Sequence, residues 1–194
     1  MDKPCNIIFA GVGGQGVLTA SETLARASLL SALDVKKSEV HGMAQRGGSV
    51  SSHVRFGPRV YSPLIPQGTA DFLVALEGIE ALRFAHMVKP GGVIILDRLT
   101  IQAQGGQPVC QDEVEDTLAR LDLEVLAVPA QELALSAGDK RAAGSVLQGV
   151  LAVFLPLSAA SWAKAFECTL RPEVAGLNME AFRHGRSWIS TALK

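Results

Sequence analysis

Ile7-Ile8-Phe9-Ala10-Gly11-Val12-Gly13-Gly14-Gln15-Gly16 decides the fold of this chain. Four apolar residues run into G-x-G-x-x-G, with Gly11, Gly13 and Gly16 in the three slots, and an Ala/Leu-rich segment follows from Val17 to about Ala32. Strand, glycine turn and helix in that order are the context this motif requires. Glycine permits positive φ and removes the Cβ that blocks close backbone approach. The following helix offers unpaired N–H groups and the positive end of its dipole to an anion.

The glycines leave two readings open. A dinucleotide site calls for an acidic residue about 20 positions on, to hold a ribose hydroxyl. Glu39 is the candidate, within Asp34-Val35-Lys36-Lys37-Ser38-Glu39. Alternatively the turn serves close packing or contact with a partner.

Outward from this turn, β and α segments alternate. Ile7–Ala10 reads as a strand buried on both faces. Val17, Ala20, Leu24, Ala27 and Leu30 recur at helical spacing as a sheet-facing stripe. Asp34–Val40 reads as a short polar strand. Val50, Ser52, Val54 and Phe56 alternate with Ser51, His53 and Arg55, the pattern of a half-exposed strand. A three-proline segment follows. Further strands are expected at Asp71–Leu76, Val93–Asp97 and Glu124–Val128, with helices near Ile79–His86, Gln111–Leu121 and Gln131–Ser136. Beyond Lys140 the chain reads as helical. Val146, Gly149, Val150, Val153 and Phe154 share a face of a helix that Pro156 ends or kinks, and Ser161–Leu170 and Met179–Leu193 continue the pattern. The expected fold is one α/β domain over residues 1–194. Residues 1–139 form an open, mostly parallel, Rossmann-like three-layer sheet with helices on both faces, and 140–194 form a helical C-terminal segment packed on it.

Composition narrows the function. The 194 residues are 48% hydrophobic and 19% charged, so a large core is available. A net charge of −1 disfavours a general nucleic-acid binder. Cys5, Cys110 and Cys168 are too scattered for a zinc site, a cluster held by this chain alone, or a disulfide framework. His41, His53, His86 and His184 lack metal-pair spacing, so no metal is expected. Met1–Asn6 carries no signal-peptide pattern and no run reaches membrane length, which points to a cytoplasmic protein. No catalytic set assembles: there is no G-x-S-x-G elbow, and no Lys-Ser or Lys-Thr follows Gly16. The remaining candidates sit at the carboxyl ends of the strands. They are Gly11, Gly13, Gly14, Gln15 and Gly16, with Glu77 and Asp97, and the stretch His41-Gly42-Met43-Ala44-Gln45-Arg46-Gly47-Gly48-Ser49. There Arg46 could present a planar fork to a carboxylate or phosphate, or could simply decorate a surface loop.

Gly11–Ala20 and Lys37–Val50 closely resemble the gamma-type subunit of the 2-oxoacid:ferredoxin oxidoreductase family. Ser62-Pro63-Leu64-Ile65 with Gly68, Ala75-Leu76-Glu77 with Glu80–Arg83, and Asn178–Phe182 are similar as well. Within the family the chain is most similar to the indolepyruvate ferredoxin oxidoreductases, in the place of their beta subunit. The resemblance implies a subunit that covers or completes the active site of a large alpha subunit. That partner would carry thiamine diphosphate with Mg and 4Fe-4S clusters. The complex would oxidatively decarboxylate a 2-oxoacid with coenzyme A and pass electrons to ferredoxin. The isolated chain would bind none of these cofactors and would be inactive. An Asn that the resemblance leads one to expect near Ala142–Ser145 is missing. The competing readings are a stand-alone NAD- or FAD-binding oxidoreductase and a non-catalytic binding domain.

Overall fold

The computed structural model describes residues 3–41, 47–101 and 109–192. Among them the elements run β1 (Cys5–Val12), α1 (Val17–Leu30), β2 (Asp34–His41), β3 (Ser49–Gly57), β4 (Ala70–Ala75), α2 (Gly78–Phe84), β5 (Val88–Asp97), α3 (Gln111–Ala119), β6 (Glu124–Val128), α4 (Ala130–Ser136), α5 (Ala143–Leu151), α6 (Ala159–Thr169) and α7 (Pro172–Ala192). Short 3-10 turns at Ala85–Met87 and Lys140–Ala142 lead into β5 and α5.

The six strands form one sheet in the order β2-β3-β1-β4-β5-β6. β1, β4, β5 and β6 are mutually parallel, whereas β3 pairs antiparallel with both β1 and β2. The α/β architecture with helices on both faces is as the sequence suggested, but the sheet is mixed. A seven-residue link allows β2 and β3 to form a hairpin, and β3 then occupies the place beside β1. One face of the sheet buries Ile7, Phe9, Val54 and Ile95 against α1 and the C-terminal helices, through Leu24, Trp162, Phe166 and Phe182. The other buries Ile8, Leu73, Ile94 and Leu96 against α2 and α3, through Ala81, Val114 and Leu118.

Several local expectations need correcting. β3 is buried on both sides, not half-exposed. The three-proline segment folds back over its second face. Ile65 N donates to His53 Nδ1 at 3.2 Å, and Arg55 Nη1 donates to Ser62 O at 2.9 Å and Leu64 O at 3.2 Å. This irregular chain covers the sheet where a helix would otherwise lie. Leu30 is 50% exposed, because α6 as well as the sheet packs on α1 and turns its buried surface toward Ser21, Thr23 and Ser28. Each of these buried hydroxyls donates to a carbonyl of its own helix. Val153 is exposed because α5 stops at Leu151, before Pro156 is reached. α7 starts seven residues earlier than expected, with Pro172 in its first turn, where a missing N–H costs nothing.

α5 and α7 cross at nearly van der Waals distance. A Cβ on Gly149 would lie 2.0 Å from Phe182 O, and one on Gly185 would lie 2.0 Å from Val146 O. These two glycines lock the helical segment to itself, and its aromatic residues lock it to the sheet.

Candidate functional site

The glycine turn lies where the chain changes faces. α1 leaves β1 toward one face and α2 leaves the adjacent β4 toward the other, which opens a crevice at the carboxyl ends of both strands. Gly14 and Gly16 have φ of 106° and 87°, conformations that side chains with a Cβ rarely adopt. Gly11 is needed for space. Its Cβ would stand 2.8 Å from both Gln15 Oε1 and Val17 Cγ2 and 3.2 Å from Leu76 Cβ.

Gln15 staples the turn. Its Oε1 accepts from Val12 N at 2.6 Å and its Nε2 donates to Leu76 O at 3.0 Å, tying the end of β1 to the end of β4. Gly16 caps α1 with no side-chain hydrogen bond, and the first turn contains no acidic residue. The helix therefore presents free N–H groups and an uncompensated dipole.

The second candidate stretch meets the first through backbone. Gly13 N donates to Gly48 O at 2.8 Å, and Gly47 N donates to Gly13 O at 3.4 Å. Gly47 has φ of 74°. Gly11, Gly13, Gly14, Gln15, Gly16, Gly47 and Gly48 are thus one assembly. Gln45, Arg46 and the side chain of His41 lie outside the described residues. Arg46 immediately precedes Gly47 in the sequence.

Two buried carboxylates frame this assembly. Glu77, at the end of β4, caps α2 by accepting from Glu80 N at 2.8 Å, and also accepts from Ile101 N at 2.8 Å. Glu80 accepts a short hydrogen bond from Ser49 Oγ and pairs with Arg83 Nε at 3.0 Å. The start of β3, immediately after Gly48, is thereby anchored to α2. Sequence reasoning placed Glu77 at the site but missed the role of Glu80; the Glu-x-x-Glu spacing of a helix start was its signal.

Asp97 ends β5 and is 3% exposed. Burial pushes its carboxyl up to about 6, against the opposing pull of backbone N–H groups, including Ala130 N at 3.1 Å. It lines a cleft of about 290 Å³ with Gly14, Gln131, Lys140 and Arg141. Lys140 and Arg141 were not foreseen, because only the fold brings the start of the helical segment back to the turn. On the other side of the turn, Val12, Val17, Leu18 and Val50 form an apolar groove of about 430 Å³.

The acidic fingerprint residue is misplaced for a dinucleotide. Glu39 lies on β2, with β3 between it and β1. At about 4.8 Å per strand, it belongs to a strand about 10 Å from the one carrying the glycine turn. Its carboxylate pairs with Lys37 Nζ at 2.7 Å.

A family profile described as pyruvate ferredoxin/flavodoxin oxidoreductase matches residues 6–188. The chain belongs to this family. It is 38% identical over 187 residues to the indolepyruvate oxidoreductase subunit IorB of Archaeoglobus fulgidus, covering 93% of this chain and 92% of that one. The gamma subunit of a keto/oxoacid ferredoxin oxidoreductase from Geobacter sulfurreducens superposes with a TM-score of 0.74 at 22% identity, over 96% of this chain and 99% of that one. A 2-oxoglutarate:ferredoxin oxidoreductase from Magnetococcus marinus superposes with a TM-score of 0.75 at 22% identity, over all of this chain but only 32% of that one. In that longer chain, then, the same fold is one part among others. The relatives support the subunit reading over a stand-alone NAD or FAD enzyme.

The thiols of the family member described here do not fit a cluster. Cys5 opens β1 at the end remote from the turn, and burial together with Asp71 pushes its thiol up to about 12. Cys110 Sγ caps α3, accepting from Glu113 N at 3.4 Å. Cys168 is on α6. Among the described residues no three His, Cys, Asp or Glu groups are placed to hold a metal ion. No described helix is long and apolar enough to cross a membrane.

Proposed function

We propose that this chain is the small subunit of a 2-oxoacid ferredoxin oxidoreductase of the indolepyruvate type, and that it completes the active site of a large alpha subunit. The contact surface is the glycine turn with the His41–Gly48 stretch. The observation that carries this reading is the backbone pairing of Gly13 with Gly47 and Gly48, which holds the second glycine stretch against the uncapped start of α1. A surface with little side-chain bulk, free N–H groups and an adjoining arginine suits anionic groups presented by another subunit.

On this reading the large subunit carries thiamine diphosphate with Mg and the 4Fe-4S clusters. The complex uses coenzyme A to turn the 2-oxoacid into an acyl-CoA and reduces ferredoxin. This chain supplies shape and charge to that reaction, not a catalytic group of its own. The assembly is cytoplasmic and engages neither nucleic acid nor membrane. Residues 1–194 act as one domain, a reading supported by the core that the sheet shares with Trp162, Phe166, Phe182 and Ile189.

Reconstitution with the large subunit tests the proposal through Arg46→Ala and Arg46→Lys. Assembly measured by pull-down should survive, while 2-oxoacid-dependent ferredoxin reduction should fall at least tenfold in both, because a point charge does not replace a bidentate fork. Full turnover in both variants would discard the role of Arg46. Activity of the isolated chain would discard the subunit reading.

A further inference from the structure

β2 is an edge strand, and its outer side pairs with no other strand among the described residues. Edge strands are ordinarily kept from pairing by shortness, a proline, a bulge or charged side chains. β2 is eight residues long, contains no proline, and runs against β3 from Asp34 opposite Gly57 to His41 opposite Val50 without a break in register. Charge is the one device left, and its charges are matched within the chain. Lys36 Nζ lies 2.8 Å from Asp34 Oδ1, and Lys37 Nζ lies 2.7 Å from both Glu22 Oε2 and Glu39 Oε1. The other carboxylate oxygen of Glu39 takes part in no ion pair among the described residues. Val40 is 53% exposed.

The order of these charges decides what can pair with the edge. Two copies related by a two-fold axis normal to the sheet would meet edge to edge and antiparallel. Side chains alternate between the faces of a strand, so residues standing opposite each other must be an even number of positions apart. Every such register is centred on one residue that faces its own copy. Centring on Lys36, Lys37 or Glu39 sets that residue against the same charge. Centring on Val35, Val40 or either end pairs at most Asp34–Lys36 or Glu39–His41. Centring on Ser38 pairs Val35–His41 and sets Lys37 of each copy opposite Glu39 of the other. Lys37 and Glu39 share the α1 side of the sheet, as the contact of Lys37 with Glu22 shows, so the four charges alternate in sign around the junction. On the opposite face the two Ser38 hydroxyls meet, and the aliphatic stem of Lys36 from one copy lies across from the exposed Val40 of the other.

We infer that two copies of this chain join through β2, antiparallel and centred on Ser38, into one continuous sheet. The like-charge contacts of the neighbouring registers hold the strand to this one, so the edge is built for a second copy in a single alignment. The inference does not rest on the subunit reading, which is drawn from the glycine turn.

Sedimentation equilibrium of the full chain over a range of concentrations provides the test, and the native chain should dimerise. Glu39→Lys leaves only lysines at the junction and Lys37→Glu leaves only glutamates, so each should weaken dimerisation at least tenfold. An equimolar mixture of the two variants should dimerise again, because each then faces the opposite sign. Lys37→Glu also meets Glu22, so its folding is checked by circular dichroism, and a cysteine cross-link gives a readout that does not need it. With Cys110→Ser and Cys168→Ser in place, Ser38→Cys should form a disulfide between copies on mild oxidation, since opposed Cα atoms of an antiparallel pair lie about 4.5–5.5 Å apart. Lys36→Cys and Val40→Cys, each displaced along the strand from its own copy, should not. The inference is overturned if the native chain stays monomeric, if Glu39→Lys dimerises like the native chain, if the mixture of folded variants stays monomeric, or if Ser38→Cys cross-links no better than Lys36→Cys.

Discussion

Gln15→Ala, alone and combined with Gly11→Ala, tests the construction of the turn. Gln15 makes two hydrogen bonds, to Val12 N at 2.6 Å and Leu76 O at 3.0 Å, and both anchor strand ends. Each such bond contributes about 0.5–1.5 kcal/mol net, and leaving a buried group unpaired costs about 1–3 kcal/mol. Gln15 is half-buried, so water recovers part of the loss, and about 2 kcal/mol is expected for Gln15→Ala. For a domain of this size that lowers Tm by about 4–8 °C. Gly11→Ala places a Cβ 2.8 Å from Gln15 Oε1 and 2.8 Å from Val17 Cγ2, well inside contact distance. Overpacking of this kind costs about 1–3 kcal/mol. Much of that cost arises from expelling Gln15, and Gln15→Ala has already removed that side chain. The double variant should therefore lose less than the sum of the single variants, by about 1 kcal/mol. Urea denaturation of the four proteins measures this coupling. Additivity within about 0.4 kcal/mol would refute the account, as would a Gln15→Ala protein as stable as the native one.

Gly149→Ala and Gly185→Ala should each destabilise the chain by about 3 kcal/mol, since each new methyl group meets a backbone carbonyl oxygen at 2.0 Å. Gly176→Ala, in α7 with nothing within 4 Å of its Cβ position, should instead stabilise by up to about 1 kcal/mol, and thermal melting of the three variants separates the effects. Asp97 has its carboxyl raised to about 6, above the unfolded Asp value of about 3.9, so the folded state holds this proton more tightly. The resulting stability is fully present below about pH 4 and is lost as pH rises through about 6, for a change on the order of 3 kcal/mol. Asp97→Asn should flatten that part of the stability–pH profile measured by urea denaturation between pH 4 and 7, and an unchanged slope would count against the assignment.

The sequence revealed those parts of the structure whose signals are local. β1, β4, β5 and β6 each contain a continuous apolar run, in β5 only from Val93 to Leu96 after Lys89-Pro90-Gly91-Gly92, and the glycine turn with its strand and helix is a motif in its own context. Gly47 and Gly48 also stood out, although that they pair with Gly13 depends on the hairpin of β2 and β3. What escaped depends on packing between distant segments. The burial of Ser51 and His53 comes from the proline segment lying across them, which alternation of residue type cannot reveal. Leu30 and Val153 fit their helical stripes yet face solvent, because α6 rotates the buried surface of α1 and α5 ends early. Arg141 and Gln148 come to the turn only because α5 and α7 fold back over α1 and the sheet, held by two glycines whose importance is visible only in three dimensions.

The position of β3 has the widest consequence for the site. In a dinucleotide-binding domain the strand after the first helix lies beside β1, and its acidic end reaches the ribose near the glycine turn. Here the antiparallel β3 takes that place and moves β2, with Glu39, to the edge of the sheet. The same insertion delivers the start of β3, with Gly47, Gly48 and Ser49, to the glycine turn. Ser49 is then fixed to Glu80 on α2, so both faces of the sheet contribute to holding the second glycine stretch in place. One topological change thus withdraws the ribose-binding carboxylate and puts the backbone of Gly47 and Gly48 beside the glycine turn at the uncapped start of α1. The G-x-G-x-x-G pattern survives because the turn and its close contacts with Gln15 and Leu76 still require it, independently of any nucleotide.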